Sequence, residues 1–160
     1  MSLIGKLRTF RATPRDDRLM FVQALVLPVI VSCGFRAIGV SRTQGNLRRW
    51  ATSGKNKTRE ALPEEIVLSA RIAQDRARRC GGFEGTCLAR SLTLWALALR
   101  RHVEVDLLVG FRNRDGQIEG HAWVEFQGKP VNESVEVVSS YQVAPAMTSF
   151  DDRRFLPRAR

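Results

Sequence analysis

Cysteine is scarce in this sequence, and its pattern argues against a disulfide framework. Three cysteines occur among 160 residues, at positions 33, 80 and 87. An odd, low count without a recognisable signal peptide predicts free thiols and a reducing, cytoplasmic compartment. No small-residue cleavage site follows the first apolar stretch, so that stretch does not resemble a secretory leader.

Motifs for binding metals or nucleic acids are also absent. Cys80 and Cys87 are seven positions apart, and the sequence has no C-x-x-C or H-x₃-H spacing of the kind that holds zinc. It has no helix-turn-helix or zinc-finger motif, and Trp50 alone supplies an aromatic ring among the basic residues of segment 41–59. We therefore expect no metal, no cofactor and no nucleic-acid partner.

What is present is a strong positive charge, confined to one half of the chain. The formal net charge is +10, with 16 Lys and Arg against 6 Asp and Glu in residues 1–80, and 10 of each in residues 81–160. Such a field attracts nucleic acid, anionic lipid or an acidic peptide without choosing among them, and solubility explains it equally well. The 44% hydrophobic content predicts one globular domain with its own core.

The N-terminal half predicts one apolar helix followed by a loop. Residues 19–35 are uncharged and lie between Arg18 and Arg36. Their length of 17 residues is at the short limit for crossing a membrane, and Pro28 interrupts them. We predict a buried helix, or two short helices broken near Pro28, rather than membrane contact. Residues 41–59 are rich in Gly, Asn, Ser and Thr, which predicts a loop.

A further helix is predicted over Ala61–Cys80. Pro63 suits a first helical position, and Gly81 and Gly82 end the helix. Helical spacing places three apolar residues on one stripe: Ile66, Ala70 and Ala73.

The next predicted helix covers residues 87–102, and Thr86 is its expected N-cap. Its composition of alanine and leucine gives it a high intrinsic helix propensity. The helix is expected to bury one continuous face: Leu88, Leu92, Trp95 and Leu99.

After residue 102 the apolar pattern changes from helical to alternating. Residues 103–109 predict a strand that ends at Gly110, residues 118–126 a second strand and residues 131–138 a third. Short turns between successive strands predict an antiparallel meander. The charged tail from Thr148 onward is predicted to fray.

One cysteine and one histidine occupy positions where they can act together. Cys87 begins a helix, whose N-terminus stabilises a thiolate through its partial positive charge and its N–H groups. His121 in the second strand can take the thiol proton, and Glu133 at the start of the third strand can orient the imidazole. Asn132 is the alternative to Glu133. Neighbouring strands lie about 5 Å apart, so these residues can meet.

Each of these residues also has a purely structural interpretation. A lone cysteine in a helix of Ala and Leu is more often part of the core, by about two to one for Cys87 on position alone. His121 fits a half-buried strand, and Glu133 fits a solvated one. Arg90, one turn after Cys87, can support the thiolate or form a surface salt bridge. What favours catalysis is the joint pattern of Cys, His and Glu on successive elements.

Three stretches carry a resemblance to a known family: CLARSLTLWALALRRH, VGFR and EGHAWVEFQGKPVNES. They are similar to the transglutaminase-like leader peptidases of lasso-peptide biosynthesis, and most of all to the short, split form of the B protein. The resemblance covers residues 80 to about 140. It implies that Cys87 is the nucleophile and His121 the general base, with Glu133 in a third position where the family often has Asp.

The resemblance also implies a function and a fold. The function is removal of the leader from a ribosomally made lasso-peptide precursor, through an acyl-enzyme. Implied partners are the leader, a small leader-recognition protein and the ATP-using cyclase. The expected fold is α+β, with a helical region over residues 1–79 for docking the partner or leader. Residues 80–160 would form a papain/transglutaminase-like core, with the Cys87 helix packed on a small antiparallel sheet.

Two other functions remain open at this point. The same Cys, His and acid set can transfer an acyl group to an amine, as transglutaminases do. The net charge alone is also consistent with a non-enzymatic basic adaptor or nucleic-acid-binding protein.

Overall fold

The structure, a computed structural model, describes residues 15–53, 61–81 and 85–144, and these residues form an α+β fold, as predicted. Four helices come first: α1 (Arg15–Ile38), α2 (Val40–Thr52), α3 (Pro63–Arg79) and α4 (Cys87–Leu99). The rest comprises β1 (Asp106–Arg114), β2 (Gln117–Phe126), β3 (Lys129–Pro130), the short helix α5 (Val135–Val138) and β4 (Gln142–Val143).

The strands form one antiparallel sheet in the order β3-β2-β1-β4. The predicted antiparallel pairing of the first two strands is confirmed. The third strand, β3, lies ahead of the predicted residues 131–138, and β4 adds a short strand on the far edge. The hairpin between β1 and β2 turns at Asp115 and Gly116, which both have positive φ angles of 53° and 81°. Asp-Gly suits such a turn because both residues tolerate the left-handed region.

Helix α4 lies at the centre of the core. Leu92, Leu94 and Leu97 are fully buried and belong to one hydrophobic cluster with residues of α1 and β2, so this cluster crosses from the N-terminal half to the C-terminal half. The prediction of a single buried face is wrong. Helices α1, α2 and α3 and strand β2 all pack against α4, so that most sides of the helix are covered. Three residues of the predicted face are only half-buried: Leu88, Trp95 and Leu99.

Helix α1 continues through Pro28 without a break, so the alternative of two short helices is wrong. Residues 19–35 were expected to be buried, and only one face of α1 is. That face packs into the core, and its packing outweighs the backbone hydrogen bond that proline removes. Its buried residues are Met20, Ala24, Leu27, Pro28 and Val31.

Segment 41–59 was predicted to be a loop, but its first part is helix α2. Thr43, Leu47 and Ala51 are buried at spacings of four, a sparse stripe that the surrounding Gly, Ser and Asn obscure. Arg100 at the end of α4 donates to the Trp50 carbonyl at 2.7 Å and lies over the Trp50 ring at 4.4 Å. Tertiary contacts of this kind override weak helix propensity.

The helices predicted over Ala61–Cys80 and residues 87–102 are both confirmed, but the second one ends earlier than predicted. Helix α3 begins at Pro63 and buries the predicted stripe. Helix α4 ends at Leu99, not at 102, because His102 adopts a φ of 60° and the Val103 N–H bonds back to the Ala98 carbonyl at 3.1 Å. This is a helix-ending motif, and it delays the start of β1 to Asp106.

The predicted third strand is wrong, because none of residues 131–138 lies in a strand. Strand β3 contains only Lys129 and Pro130, and the chain then leaves the sheet. Ser134 caps helix α5 by accepting from the Val137 N–H at 3.4 Å. Asn132 and Glu133 therefore lie in a loop and not in a strand. The tail from residue 148 lies outside the described residues.

Candidate active site

Cys87 is the first residue of α4, and its side chain is half-buried. The Thr86 hydroxyl caps the helix by accepting from the Ala89 N–H at 3.2 Å. The N–H groups of Cys87 and Leu88 precede that capped donor, at the end of the helix where the partial positive charge is concentrated. The thiol thus has the local environment that favours a thiolate.

His121 lies on β2, directly opposite Gly110 of β1. Its Nε2 is 3.1 Å from Glu133 Oε1, and the two side chains are 16% and 19% exposed. Although the distance is short, the Nε2 atom does not meet hydrogen-bond geometry, so this is an electrostatic contact rather than a formed hydrogen bond. With Nε2 turned to Glu133, Nδ1 is the ring nitrogen left to receive a proton from a nucleophile.

Arg90 holds the same carboxylate from the helix side. Its Nη2 lies 3.6 Å from Glu133 Oε1. Because Arg90 follows Cys87 by three residues, both side chains lie on one side of the first turn of α4. Of the two interpretations of Arg90, the salt bridge is the one that the structure contains. Through Glu133, this salt bridge connects His121 to the cysteine-bearing end of α4.

Both polar atoms of the Asn132 side chain are hydrogen-bonded to groups other than the imidazole. Its Oδ1 accepts from the Val124 N–H at 2.8 Å, and its Nδ2 donates to Ser91 Oγ at 3.0 Å. Ser91, completely buried, donates in turn to the Ala122 carbonyl at 2.8 Å. Of the two candidates for the third position, the structure brings Glu133 to His121. Asn132 instead fixes the loop that carries Glu133.

An aromatic stack limits the movement of the imidazole. Tyr141 stacks on His121 with 5.2 Å between ring centroids and an interplanar angle of 27°. Arg112 lies over the Tyr141 ring at 4.6 Å. A side chain at Gly110 would come within 2.9 Å of both Trp123 and Tyr141, so the stack requires glycine at this position.

The structure therefore brings His121, Glu133 and Arg90 together, and it places Cys87 in the first turn of α4. Cys87 is a free thiol, and among the described residues no hydrogen bond joins it to His121. Catalytic pairs often tighten only when substrate is bound, so the role of Cys87 stays a prediction. Within residues 15–53, 61–81 and 85–144, no group of three or more His, Cys, Asp or Glu could hold a metal.

Two residues of this site were not identified from the sequence. Ser91 had a usable signal, because it is a polar residue one turn after Cys87 in a helix dominated by Ala and Leu. Tyr141 had none, because it follows a segment that was predicted as strand and only the turn through α5 brings it over His121.

Comparison with known proteins gives one match. A family model described as the transglutaminase-like superfamily matches residues 30–146, which is most of the chain. The matched range contains the candidate site, helices α2, α3 and α4, and the last nine residues of α1. No curated protein and no solved structure matches the chain significantly.

Proposed function

Because the chain belongs to the transglutaminase-like superfamily, we propose that it is a cysteine peptidase that removes the leader from a lasso-peptide precursor. Membership of the superfamily implies peptidase or acyl-transfer chemistry at a cysteine. The observation that carries the proposal is the 3.1 Å contact between His121 and Glu133, beside the helix that begins with Cys87. An oriented base next to a helix-start thiol is what nucleophilic attack on an amide needs.

In the acylation step, His121 Nδ1 takes the proton of the Cys87 thiol. The thiolate then attacks the carbonyl carbon of the bond between leader and core. Glu133 stabilises the imidazolium that forms and keeps the ring oriented. When the tetrahedral intermediate collapses, the imidazolium protonates the leaving amine, and the core departs with a free α-amino group.

The negative charge on the tetrahedral oxygen needs donors that are already in place. The N–H groups at the start of α4 point in the right direction for this, and Cys87 itself contributes one of them. Preorganised donors of this kind typically contribute about 10²–10³ in kcat each.

In the deacylation step, water attacks the thioester between Cys87 and the last residue of the leader. His121 acts as the base again, and the leader leaves with a free carboxylate. If an amine replaced the water, the leader would instead end in an amide. The mass of the released leader distinguishes these two outcomes of the same chemistry.

The basic N-terminal region supplies a docking place for the leader. A cavity of about 400 Å³ lies between α1 and α3, with three arginines on its wall: Arg18, Arg76 and Arg79. Asp17 also lines it, so the wall keeps an excess of positive charge. Its floor is apolar and includes Met20, Phe21 and Ile72. An acidic leader segment with an apolar side chain complements both features.

Delivery of the substrate would involve a small leader-recognition protein, and the free α-amino group of the core would pass to an ATP-using cyclase. The docking proposal is tested with the double variant Arg76→Glu/Arg79→Glu, which should weaken leader binding by about tenfold or more. Arg42→Glu/Arg48→Glu on α2 is the matched control, because it changes the net charge equally outside the cavity. Equal weakening by both pairs would show that only net charge matters.

The peptidase proposal is tested by incubating a lasso-peptide precursor and its leader-recognition protein with wild type and with Cys87→Ala. Mass spectrometry should show one defined leader cut for wild type and none for the variant. Cys33→Ala and Cys80→Ala remove the other two free thiols and should cleave like wild type. Circular dichroism establishes that all variants are folded.

Cleavage by Cys87→Ala at the wild-type rate would overturn the cysteine-peptidase mechanism. If Cys80→Ala lost cleavage while Cys87→Ala retained it, Cys80 would be the nucleophile instead of Cys87. A leader whose mass includes an added amine would replace hydrolysis by acyl transfer.

A further inference from the structure

The outer face of α1 is apolar, yet it is exposed. We call its five aliphatic residues the outer row. The opposite face of the helix packs into the core, so the two faces are both apolar but only one is covered. An uncovered apolar face of this length is rare on a protein that meets only water. The residues, with their exposed fractions, are Leu19 (46%), Val22 (49%), Val26 (45%), Val29 (44%) and Ile30 (54%).

The outer row is continuous along the helix. Its first four members follow one another at spacings of three and four residues, and Ile30 lies four residues after Val26 on the same side. The exposed Cys33 extends the row by one more turn. From position 19 to position 33 the row is about 21 Å long, at 1.5 Å per residue. Arg15 lies four residues before it and Arg36 three residues after Cys33, on the same side of the helix. The row is thus an uncharged strip with a cation at each end.

The two segments that flank the outer row both carry a net positive charge. Residues 1–18 contain five Lys and Arg and two Asp, while residues 36–59 contain seven Lys and Arg and no acidic residue. Between them, residues 19–35 carry no charge at all. An aliphatic strip bordered by arginines is complementary to a surface that is apolar below a layer of negative charge.

We propose that the outer row of α1 docks on the surface of an anionic lipid bilayer. The helix lies parallel to the surface, with the aliphatic side chains at the boundary of the acyl chains and the arginines among the phosphates. The sequence argued against membrane contact because it predicted burial of residues 19–35. That prediction holds for the inner face of α1 and not for the outer row.

A membrane-crossing orientation fits less well. By length and composition α1 could cross a membrane. However, Met20, Leu27 and Val31 pack in the same cluster as Leu92 and Leu97 of α4. Crossing would pull these residues out of the core, whereas docking parallel to the surface leaves them in place.

A second copy of the chain also fits less well. If two outer rows packed against each other in parallel, each Arg15 would face its own counterpart, and so would each Arg36. If they packed antiparallel, Arg15 of one copy would face Arg36 of the other. Like charges oppose each other in both arrangements, whereas anionic lipid neutralises them.

Co-sedimentation of the full chain with vesicles tests the proposal. One set of vesicles contains equal parts of phosphatidylcholine and phosphatidylglycerol, and the other contains phosphatidylcholine alone. We expect the wild type to pellet with the anionic vesicles and to bind the neutral ones much more weakly. Val26→Glu places a charge in the middle of the row and should raise the apparent Kd for anionic vesicles about tenfold or more.

Ile118→Glu is the matched control, because it adds the same charge at an aliphatic residue of β2 that is 78% exposed. It should bind vesicles like wild type, and circular dichroism should show the native spectrum for both variants. Wild type that stays in the supernatant with anionic vesicles would overturn the proposal. So would equal binding by Val26→Glu, since charge alone would then explain adsorption. A dimer in sedimentation equilibrium that Val26→Glu dissociates, without vesicle binding, would assign the row to a second copy.

Discussion

Two regions of the molecule differ in what their side chains contact: the junction between α4 and β2, and the outer row of α1. At the junction, Ser91 and Asn132 use their polar atoms in hydrogen bonds, and Glu133 lies within ion-pair distance of Arg90 and His121. On the outer row, half-exposed aliphatic side chains face away from the core. A network of hydrogen bonds and ion pairs holds groups at fixed distances, as chemistry requires. An uncovered apolar strip instead favours recognition of another surface.

Among the variants that test this comparison, His121→Ala is expected to have the largest effect on activity. Removing the proposed base should lower kcat/KM for leader cleavage by about 10⁴-fold, measured by single-turnover kinetics. His102→Asn is the control, because His102 is exposed and asparagine tolerates its φ of 60°. An equal loss in both variants would mean that the junction does not hold the catalytic base.

A smaller loss is expected from Glu133→Gln. The amide keeps the shape of the side chain but removes the charge that stabilises an imidazolium, so kcat should fall by about 10²-fold with little change in KM. Glu136→Gln on α5 removes a nearby carboxylate that is fully exposed, and it should retain wild-type kcat. If Glu133→Gln cleaves at the wild-type rate, His121 does not depend on this carboxylate.

Asn132→Leu tests whether the network also stabilises the fold. Leucine has a similar size but leaves the Val124 N–H without its acceptor, which should lower the free energy of unfolding by about 2 kcal/mol in urea titration. The control Asn113→Leu removes one hydrogen bond to the Gly116 N–H in an exposed turn, and it should cost less than about 1 kcal/mol. If both variants lost the same free energy of unfolding, the hydrogen bonds at the junction would stabilise the fold no more than one in an exposed turn.

The smallest effect is expected on the outer row itself. Val22→Ala should change the free energy of unfolding by less than about 0.5 kcal/mol, because about half of the Val22 side chain is already exposed to solvent. Val31→Ala on the inner face of the same helix should cost about 2 kcal/mol, since Val31 is completely buried. Thermal or urea unfolding of the two variants gives the comparison directly. Equal costs would mean that the outer row contributes to the core.

Local sequence signals predicted the elements whose pattern is strong. Pro63, the apolar stripe of α3, the Thr86 cap and the Asp-Gly hairpin each act within a few residues, and all are present in the structure. Helix α2 was missed because its stripe is sparse and its stability comes from contacts with α1 and α4. The third strand was wrongly placed on residues 131–138 because a run of valines fits both a strand and a short helix, and Ser134 caps the helix there.

The candidate site was predictable to the extent that it depends on chemistry at single positions. Cys87 at a helix start and His121 on a strand follow from residue type and periodicity. The choice between Asn132 and Glu133 does not, because the two residues are adjacent and only their surroundings differ. The Asn132 side chain is hydrogen-bonded to Ser91 and to the Val124 N–H, whereas the Glu133 side chain lies against His121.

The sequence by itself determined the α+β class, the helix that begins with Cys87, and the concentration of positive charge in the first half of the chain. These depend on composition and on patterns with periods of two or about four residues, which local backbone geometry converts into elements. The tertiary structure decided which face of α1 is covered, where the third strand stops, and which of Asn132 and Glu133 contacts the histidine. Each of those outcomes depends on contacts between residues far apart in the chain. A local sequence pattern does not specify which distant residue a side chain will contact.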